Sequence, residues 1–244
     1  MKILCKMLGG SHSYGLATAT SDLDYRGVYL DENIRSVIGL EKNEQQQVQN
    51  TEKDELYSEF RHTLRLLRQA NTQTIEMLYN DTWLEISPLW KQVQFYKYQL
   101  VDSEKLFNCL RGYMQGELRM ANGERTGKLG GKRKEAIDKY GYSPKNFLQL
   151  FRLAWAGSVY FLNGYFPVNV SKENPEWAKT LLDIKMNPHS HTKENLNETA
   201  KTMEYCLVKS FENRKITTKF NEDIANELCL IAYKDILQRE FKTL

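Results

Sequence analysis

Two short groups of residues near the start of the chain have the types and spacing for phosphate chemistry: Gly10-Ser11 and, ten residues further on, Asp22-Leu23-Asp24. The stretch from 23 to 30 is rich in Tyr, Val and Leu and reads as a strand, so residues two apart point the same way. Asp22 and Asp24 then project together, while Leu23 and Tyr25 turn into the core. Two carboxylates that close repel each other unless a cation or a proton lies between them. Mg2+ (or Mn2+) is the natural counter-ion, because such ions take carboxylate oxygens, keep water ligands and bind substrate phosphates. Two of them about 3.5–4 Å apart can align the attacking and leaving oxygens of an in-line displacement. Gly10 lets the backbone approach a ligand closely. Ser11 offers a hydroxyl and an N–H at the start of a short helix, where N–H groups favour phosphate. Arg26 shares the acidic face and either contacts phosphate or acceptor or pairs with Asp24. The plainer alternative for both groups is a surface strand and an ordinary turn.

The elements that must position these groups divide the chain in two. Residues 1–8 read as a buried strand or short helix, and 23–30, 45–50 and 53–58 as strands. From Phe60 the apolar period becomes helical, with a break at Asn71. Ser87-Pro88 starts another helix, Gly141-Tyr142-Ser143-Pro144 is a further cap signal, and helices are predicted over 103–122, 131–140, 144–163, 174–186, 194–213 and 221–242. The expected fold class is α+β: a small sheet-and-helix unit over residues 1–80, then a helical domain over 81–244 packed against its cleft, with no linker between them.

Charge and composition narrow the function. The 244 residues carry a net charge of +3, but residues 1–60 hold six Lys and Arg against ten Asp and Glu, and residues 105–152 hold eleven against four. An acidic first part and a basic middle suit a cation site facing an anionic substrate, or simply two surfaces of different charge. The four cysteines form no CxxC pair, which argues against structural zinc and a disulfide framework and suits a reducing compartment. No signal peptide and no apolar run of about 18 residues is present, so a cytoplasmic protein with no membrane partner is expected.

Further along, Lys145 and Arg152 are seven residues apart on one face of the 144–163 helix, with Leu148 between them. That face could hold a triphosphate tail; a solvated face or ion pairs are the alternative. Lys128, Lys132, Arg133 and Lys134 cluster beside Gly127, Gly130 and Gly131, and could steer RNA or form an exposed basic helix end. The segment GERTGKLGG fails as a phosphate loop, because three residues separate Gly123 from Gly127 and Leu129 follows Lys128. His12 reads as incidental, His189 and His191 lack a third ligand, and the Tyr and Phe residues of 151–166 fall at core spacing.

Gly10-Ser11, ten residues, then Asp22-Leu23-Asp24-Tyr25 resembles the nucleotidyltransferase signature of the DNA polymerase β superfamily. The longer GSHSYG…SDLDYRGVY is similar to a branch of predicted bacterial and phage nucleotidyltransferases with a helical C-terminal half. Residues 54–78 resemble that branch's third-carboxylate strand, helix and Asn-Pro-x-x-x-Glu segment, with Thr72 where Pro is usual, and 131–153 resemble its basic helix pair. The resemblance implies a mixed β-sheet and puts a third carboxylate at Asp54, with Glu55 the rival because the apolar parity of that strand is open. It implies that Asp22, Asp24 and Asp54 hold the metal and carry catalysis, and that Gly10, Ser11, Arg26, Lys145 and Arg152 bind the nucleotide. The implied reaction moves an NMP from an NTP to a hydroxyl and releases pyrophosphate. An RNA or tRNA end is the first candidate acceptor, a protein hydroxyl the second and a small molecule the third. A non-catalytic nucleotide- or RNA-binding module and a helical interaction protein are rival readings.

Overall fold

A computed structural model describes residues 1–38, 47–50, 54–124 and 131–241. Its strands are β1 (Lys2–Leu8), β2 (Tyr25–Leu30), β3 (Gln47–Asn50), β4 (Glu55–Glu59) and β5 (Glu85–Ile86). The helices are α1 (Gly10–Ser13), α2 (Ile34–Ile38), α3 (Phe60–Arg68), α4 (Thr72–Tyr79), α5 (Pro88–Phe95), α6 (Ser103–Ala121), α7 (Gly131–Tyr140), α8 (Pro144–Asn163), α9 (Val170–Glu173), α10 (Pro175–Met186), α11 (Lys193–Glu212) and α12 (Glu222–Phe241). The class is α+β: a mixed sheet with helices, then a mostly helical C-terminal half. Compactness divides the chain at Asp102 and Thr218 instead of at residue 80, into Met1–Asp102 with Thr218–Leu244, and Ser103–Thr217.

The first unit is built on a five-stranded sheet in the order β3-β4-β2-β1-β5. β1 is antiparallel to both β2 and β5, β4 is antiparallel to β3, and β2 and β4 run parallel. Cys5, Met7, Val28 and Leu30 are buried in this unit, as are Leu64, Leu67, Ile75 and Leu78 of the helices. Three of its helices, α3, α4 and α5, start where the sequence supplies a cap. Glu59 accepts the His62 N–H at 3.0 Å, Asn71 accepts that of Thr74 at 3.1 Å, and Ser87 accepts that of Trp90 at 3.2 Å ahead of Pro88. The helix break expected at Asn71 is thus a cap. The last helix, α12, belongs to this unit: Tyr233 donates a 2.7 Å hydrogen bond to Glu59, and the Arg61 guanidinium lies 5.7 Å from the Tyr233 ring. Burial and the Glu59 charge push the Tyr233 hydroxyl well above its ordinary range.

The second unit packs α6, α10 and α11 against α8. α8 opens on Pro144 and ends at Gly164, which has a left-handed φ of 74°. Ser143, expected as its cap, instead donates its hydroxyl to Asn146 at 2.6 Å. At Gly157 an added Cβ would lie 2.5 Å from Leu110 and 2.9 Å from Leu207, so only glycine lets α8 approach α6 and α11 so closely. The aromatic residues of 151–166 include the buried Phe151, Tyr160, Phe161 and Phe166, as expected of core positions.

Three local expectations differ from the structure. The strand predicted over 23–30 starts at Tyr25, and Leu23 is 52% exposed instead of core. The cause is a turn, in which Ser21 N–H reaches Thr18 O at 2.9 Å and Thr18 N–H reaches the Ser21 hydroxyl at 2.9 Å, so residues 21–24 arrive as a loop. The strand predicted over 53–58 starts at Glu55, because Asp54 has a left-handed φ of 48°. The short β5 was not expected; Leu84 and Ser87 N–H groups reach Lys6 and Leu4 carbonyls at 2.9 and 2.8 Å and fasten it to the sheet edge. Residues 45, 46, 53 and 125–130, including Gly127, Lys128 and Gly130, lie outside the described residues.

Candidate active site

The chain leaves β1 through Gly9 and forms the one-turn helix α1. The first hydrogen bond closing that turn runs from Ser13 N–H to Gly9 O at 3.4 Å, so the N–H groups of Gly10, Ser11 and His12 precede it. Gly10 has a φ of 55°, and a Cβ placed there would collide with the Asp24 carboxylate. Gly9 N–H donates to Asp24 O at 2.8 Å. The turn and the second aspartate are therefore stitched together twice, once through the backbone and once by direct packing of the carboxylate on glycine. Ser11 is half-buried, and its carbonyl accepts the Leu16 N–H at 2.8 Å. Arg26, next on the same side of β2, lays its side chain against Gly9, where an added Cβ would be 2.8 Å from Arg26 Cγ. Asp24 and Arg26 thus both face the turn, as strand alternation requires. Asp22 is exposed and Asp24 half-buried.

The parallel register of β2 and β4 sets the other acids. Tyr25 pairs with Glu55, and Tyr25 N–H donates to Asp54 O at 2.9 Å. Glu55 forms a 2.9 Å ion pair with Lys6, whose ammonium lies 4.6 Å from the Tyr25 ring. Tyr25 alternates with Asp24 and Arg26, so Glu55 and Lys6 lie on the face opposite the turn. The Glu55 hydrogen bond holds the Lys6 pKa above its ordinary value against the opposing effect of burial. Glu55 is committed to Lys6, whereas Asp54 is exposed at the head of β4, beside the strand that follows Asp24. Among the described residues no three His, Cys, Asp or Glu side chains converge on one point, so Asp22, Asp24 and Asp54 do not form a ready-made metal cage.

The two basic candidates of α8 lie in the second unit. Lys145 is exposed; burial, and then the nearby Lys145 charge, lower the pKa of Lys185. Arg152 is 1% exposed and donates its Nε to Gln149 at 2.8 Å, so the two do not make one open basic face. A bond that the sequence argument did not foresee joins the turn to the Glu of the Asn-Pro-x-x-x-Glu segment: the Tyr14 hydroxyl donates to Glu76 at 2.8 Å, both buried. Glu76 is also an acid in the otherwise apolar run Ile75–Tyr79, which marks it as a buried partner for a polar group.

The turn and Asp24 thus meet at the mouth of β2 on a mixed sheet, and the family match places the chain among nucleotidyltransferases of the DNA polymerase β superfamily. Comparison narrows this class: residues 1–229 match the model of RlaP, the RNA repair pathway DNA polymerase beta family, and the chain belongs to that family. No curated protein matches the chain. The family implies nucleotidyl transfer within an RNA repair pathway.

Proposed function

We propose that the protein transfers an NMP from an NTP to the hydroxyl of an RNA or tRNA end. The observation that carries this reading is the packing of the Asp24 carboxylate on Gly10, which brings an acid and a set of backbone donors to one point. In the reaction the acceptor oxygen bonds to the α-phosphorus and the bond from that phosphorus to the β-phosphate bridging oxygen breaks. Pyrophosphate takes the electron pair, and the hydroxyl proton passes to solvent. The turn of Gly10 and Ser11 holds the phosphates through N–H and hydroxyl donors, and Arg26 neutralises their charge from the adjacent strand position. Lys145 and Arg152 belong to the other unit, Lys145 exposed and Arg152 buried with its Nε on Gln149, and no part in this step is assigned to them.

Carboxylate oxygens suit magnesium or manganese by type, although Asp22, Asp24 and Asp54 do not converge in this structure and would have to draw together around an ion. Asp22 and Asp54 are exposed and Asp24 is half-buried, and magnesium is commonly held by one or two carboxylates with substrate phosphates completing the shell. Asp22, Asp24 and Asp54 would hold it, and it would supply charge neutralisation and a lowered acceptor pKa. What the chain itself contributes is alignment and fixed dipoles.

The test incubates the protein with each labelled NTP, Mg2+ or Mn2+, and total RNA or lysate. Label should enter RNA in the wild type, and Asp22→Ala with Asp24→Ala should lower the rate at least about 10²-fold while the thermal midpoint holds. Label in protein would replace RNA by a protein hydroxyl as acceptor; NTP binding unaffected by magnesium and by Asp24→Ala would mean a binding module.

A further inference from the structure

We propose that Glu76 is a positioning residue for the phosphate turn and acts through Tyr14; this rests on the reading of that turn as the NTP site. A four-residue helix such as α1 has no stability of its own, so its direction is set by what ties its two ends. The front is tied by the Gly9 N–H to Asp24 O bond at 2.8 Å. The rear is tied by Tyr14, which follows α1 directly, closes it with an N–H to Gly10 O bond at 3.3 Å and gives its hydroxyl to Glu76 at 2.8 Å.

The acid is not explained by packing. Seven of the eight residues of α4 are buried, and an apolar side chain at 76 would fill the space without desolvating a carboxylate. Its place is set in turn by Asn71, which caps α4 through Thr74 at 3.1 Å and so fixes the phase of the helix that carries Glu76. The bond spans 62 residues of sequence and joins α4 to the loop that leaves the turn. Neither Tyr14 nor Glu76 touches substrate in this scheme. Their effect is to hold the N–H groups of Gly10, Ser11 and His12 in one direction before the NTP arrives.

The experiment compares wild type, Tyr14→Phe, Glu76→Gln and Glu76→Leu in steady-state transfer with each NTP and magnesium. Tyr14→Phe and Glu76→Leu should raise KM for the NTP about tenfold with kcat changed less than about twofold, as lost binding alignment requires. Glu76→Gln keeps an acceptor for the Tyr14 hydroxyl and should stay within about threefold of wild type. Equal losses in the Gln and Leu variants, or an unchanged KM in Tyr14→Phe, overturn the proposal. Tyr14→Phe removes one oxygen and keeps the ring, so it decides the matter should the Leu variant fail to fold. Amide hydrogen exchange over residues 9–16 should quicken in it, and wild-type protection there also overturns the proposal. A wild type that binds no NTP removes the nucleotide reading of the turn and the role assigned here with it; a wild type that binds, beside a Tyr14→Phe that binds equally well, sinks this proposal alone.

Discussion

The two units both tie their elements with buried hydrogen bonds and differ in how much ring packing accompanies them. In the sheet unit, Glu59 and Glu76 each take a tyrosine hydroxyl from far away in sequence, Tyr233 and Tyr14, and Lys6 pairs with Glu55 across the sheet. Each of these bonds fixes one element against another in a single orientation. The helical unit has such bonds too, Asn146 donating to the buried Glu117 and Tyr142 to the Pro188 carbonyl, both at 2.6 Å, and adds rings and close contact: Phe107 stacks on Phe211 at 4.0 Å, Phe161 meets both edge-on, and Gly157 admits Leu110 and Leu207. Apolar packing is non-directional and tolerates volume-conserving change, whereas a buried hydrogen bond to a charge does not. The difference lies in what the bonds hold: in the sheet unit one of them ties Glu76 to Tyr14 behind the proposed phosphate turn, whereas in the helical unit they join α8 to its neighbours beside stacked rings.

The strongest way to break this comparison is Gly157→Leu. The added side chain would drive into Leu110 and Leu207, so a loss of about 3 kcal/mol is expected, the upper part of the overpacking range. Urea unfolding gives the loss, and hydrogen exchange shows where it falls. Faster exchange confined to residues 103–217 keeps the units separate in energy; equal acceleration in β1, β2 and β4 would mean that they open together and that the contrast has no thermodynamic meaning.

Next in size is Tyr233→Phe. It leaves the Glu59 carboxylate with the His62 N–H at 3.0 Å and Arg61 at 3.4 Å but removes the short bond from α12. The expected loss is about 1.5 kcal/mol, the range for a hydrogen bond to a charged group. Limited proteolysis should find α12 released before the sheet opens. A variant as stable as wild type would show that apolar burial of α12 suffices and that Glu59 serves α3 alone.

How far the site was legible follows from the same distinction. Gly10, Ser11, Asp22 and Asp24 stand out as candidates because phosphate and metal chemistry restrict residue type at short range, within one turn and one strand start. Glu59, just ahead of Phe60, caps α3, again a local relation. The strand starts were misjudged because a hydrogen-bonded turn at Thr18–Ser21 and a left-handed Asp54 carry no apolar pattern. The choice between Asp54 and Glu55 was open because it depends on register with β2 and on Lys6, neither of which strand parity reveals. The pairings of Glu76 with Tyr14 and of Tyr233 with Glu59 stay hidden for the same reason, since the partners lie 62 and 174 residues apart. Pairing at that distance follows from the packed fold and not from any nearby spacing.

The smallest expected effect is in pH. Burial lowers the pKa of His62 from its ordinary 6.5; Arg65 pushes the same way and the Glu59 charge opposes both. The unfolded chain therefore binds this proton more readily than the folded one. Stability owed to the neutral ring is full above about pH 6.5, declines as pH falls below that value, and stops declining once pH passes the lowered folded pKa. His62→Gln removes the proton and with it this part of the slope, so the difference in stability between variant and wild type should change with pH in that window and be constant above it. Because His62 also lends its N–H to Glu59, the Gln variant keeps the cap and isolates the ring. A slope identical in both proteins would mean that the ring is hydrated in solution, and would shift the origin of any acid sensitivity in this unit to its carboxylates.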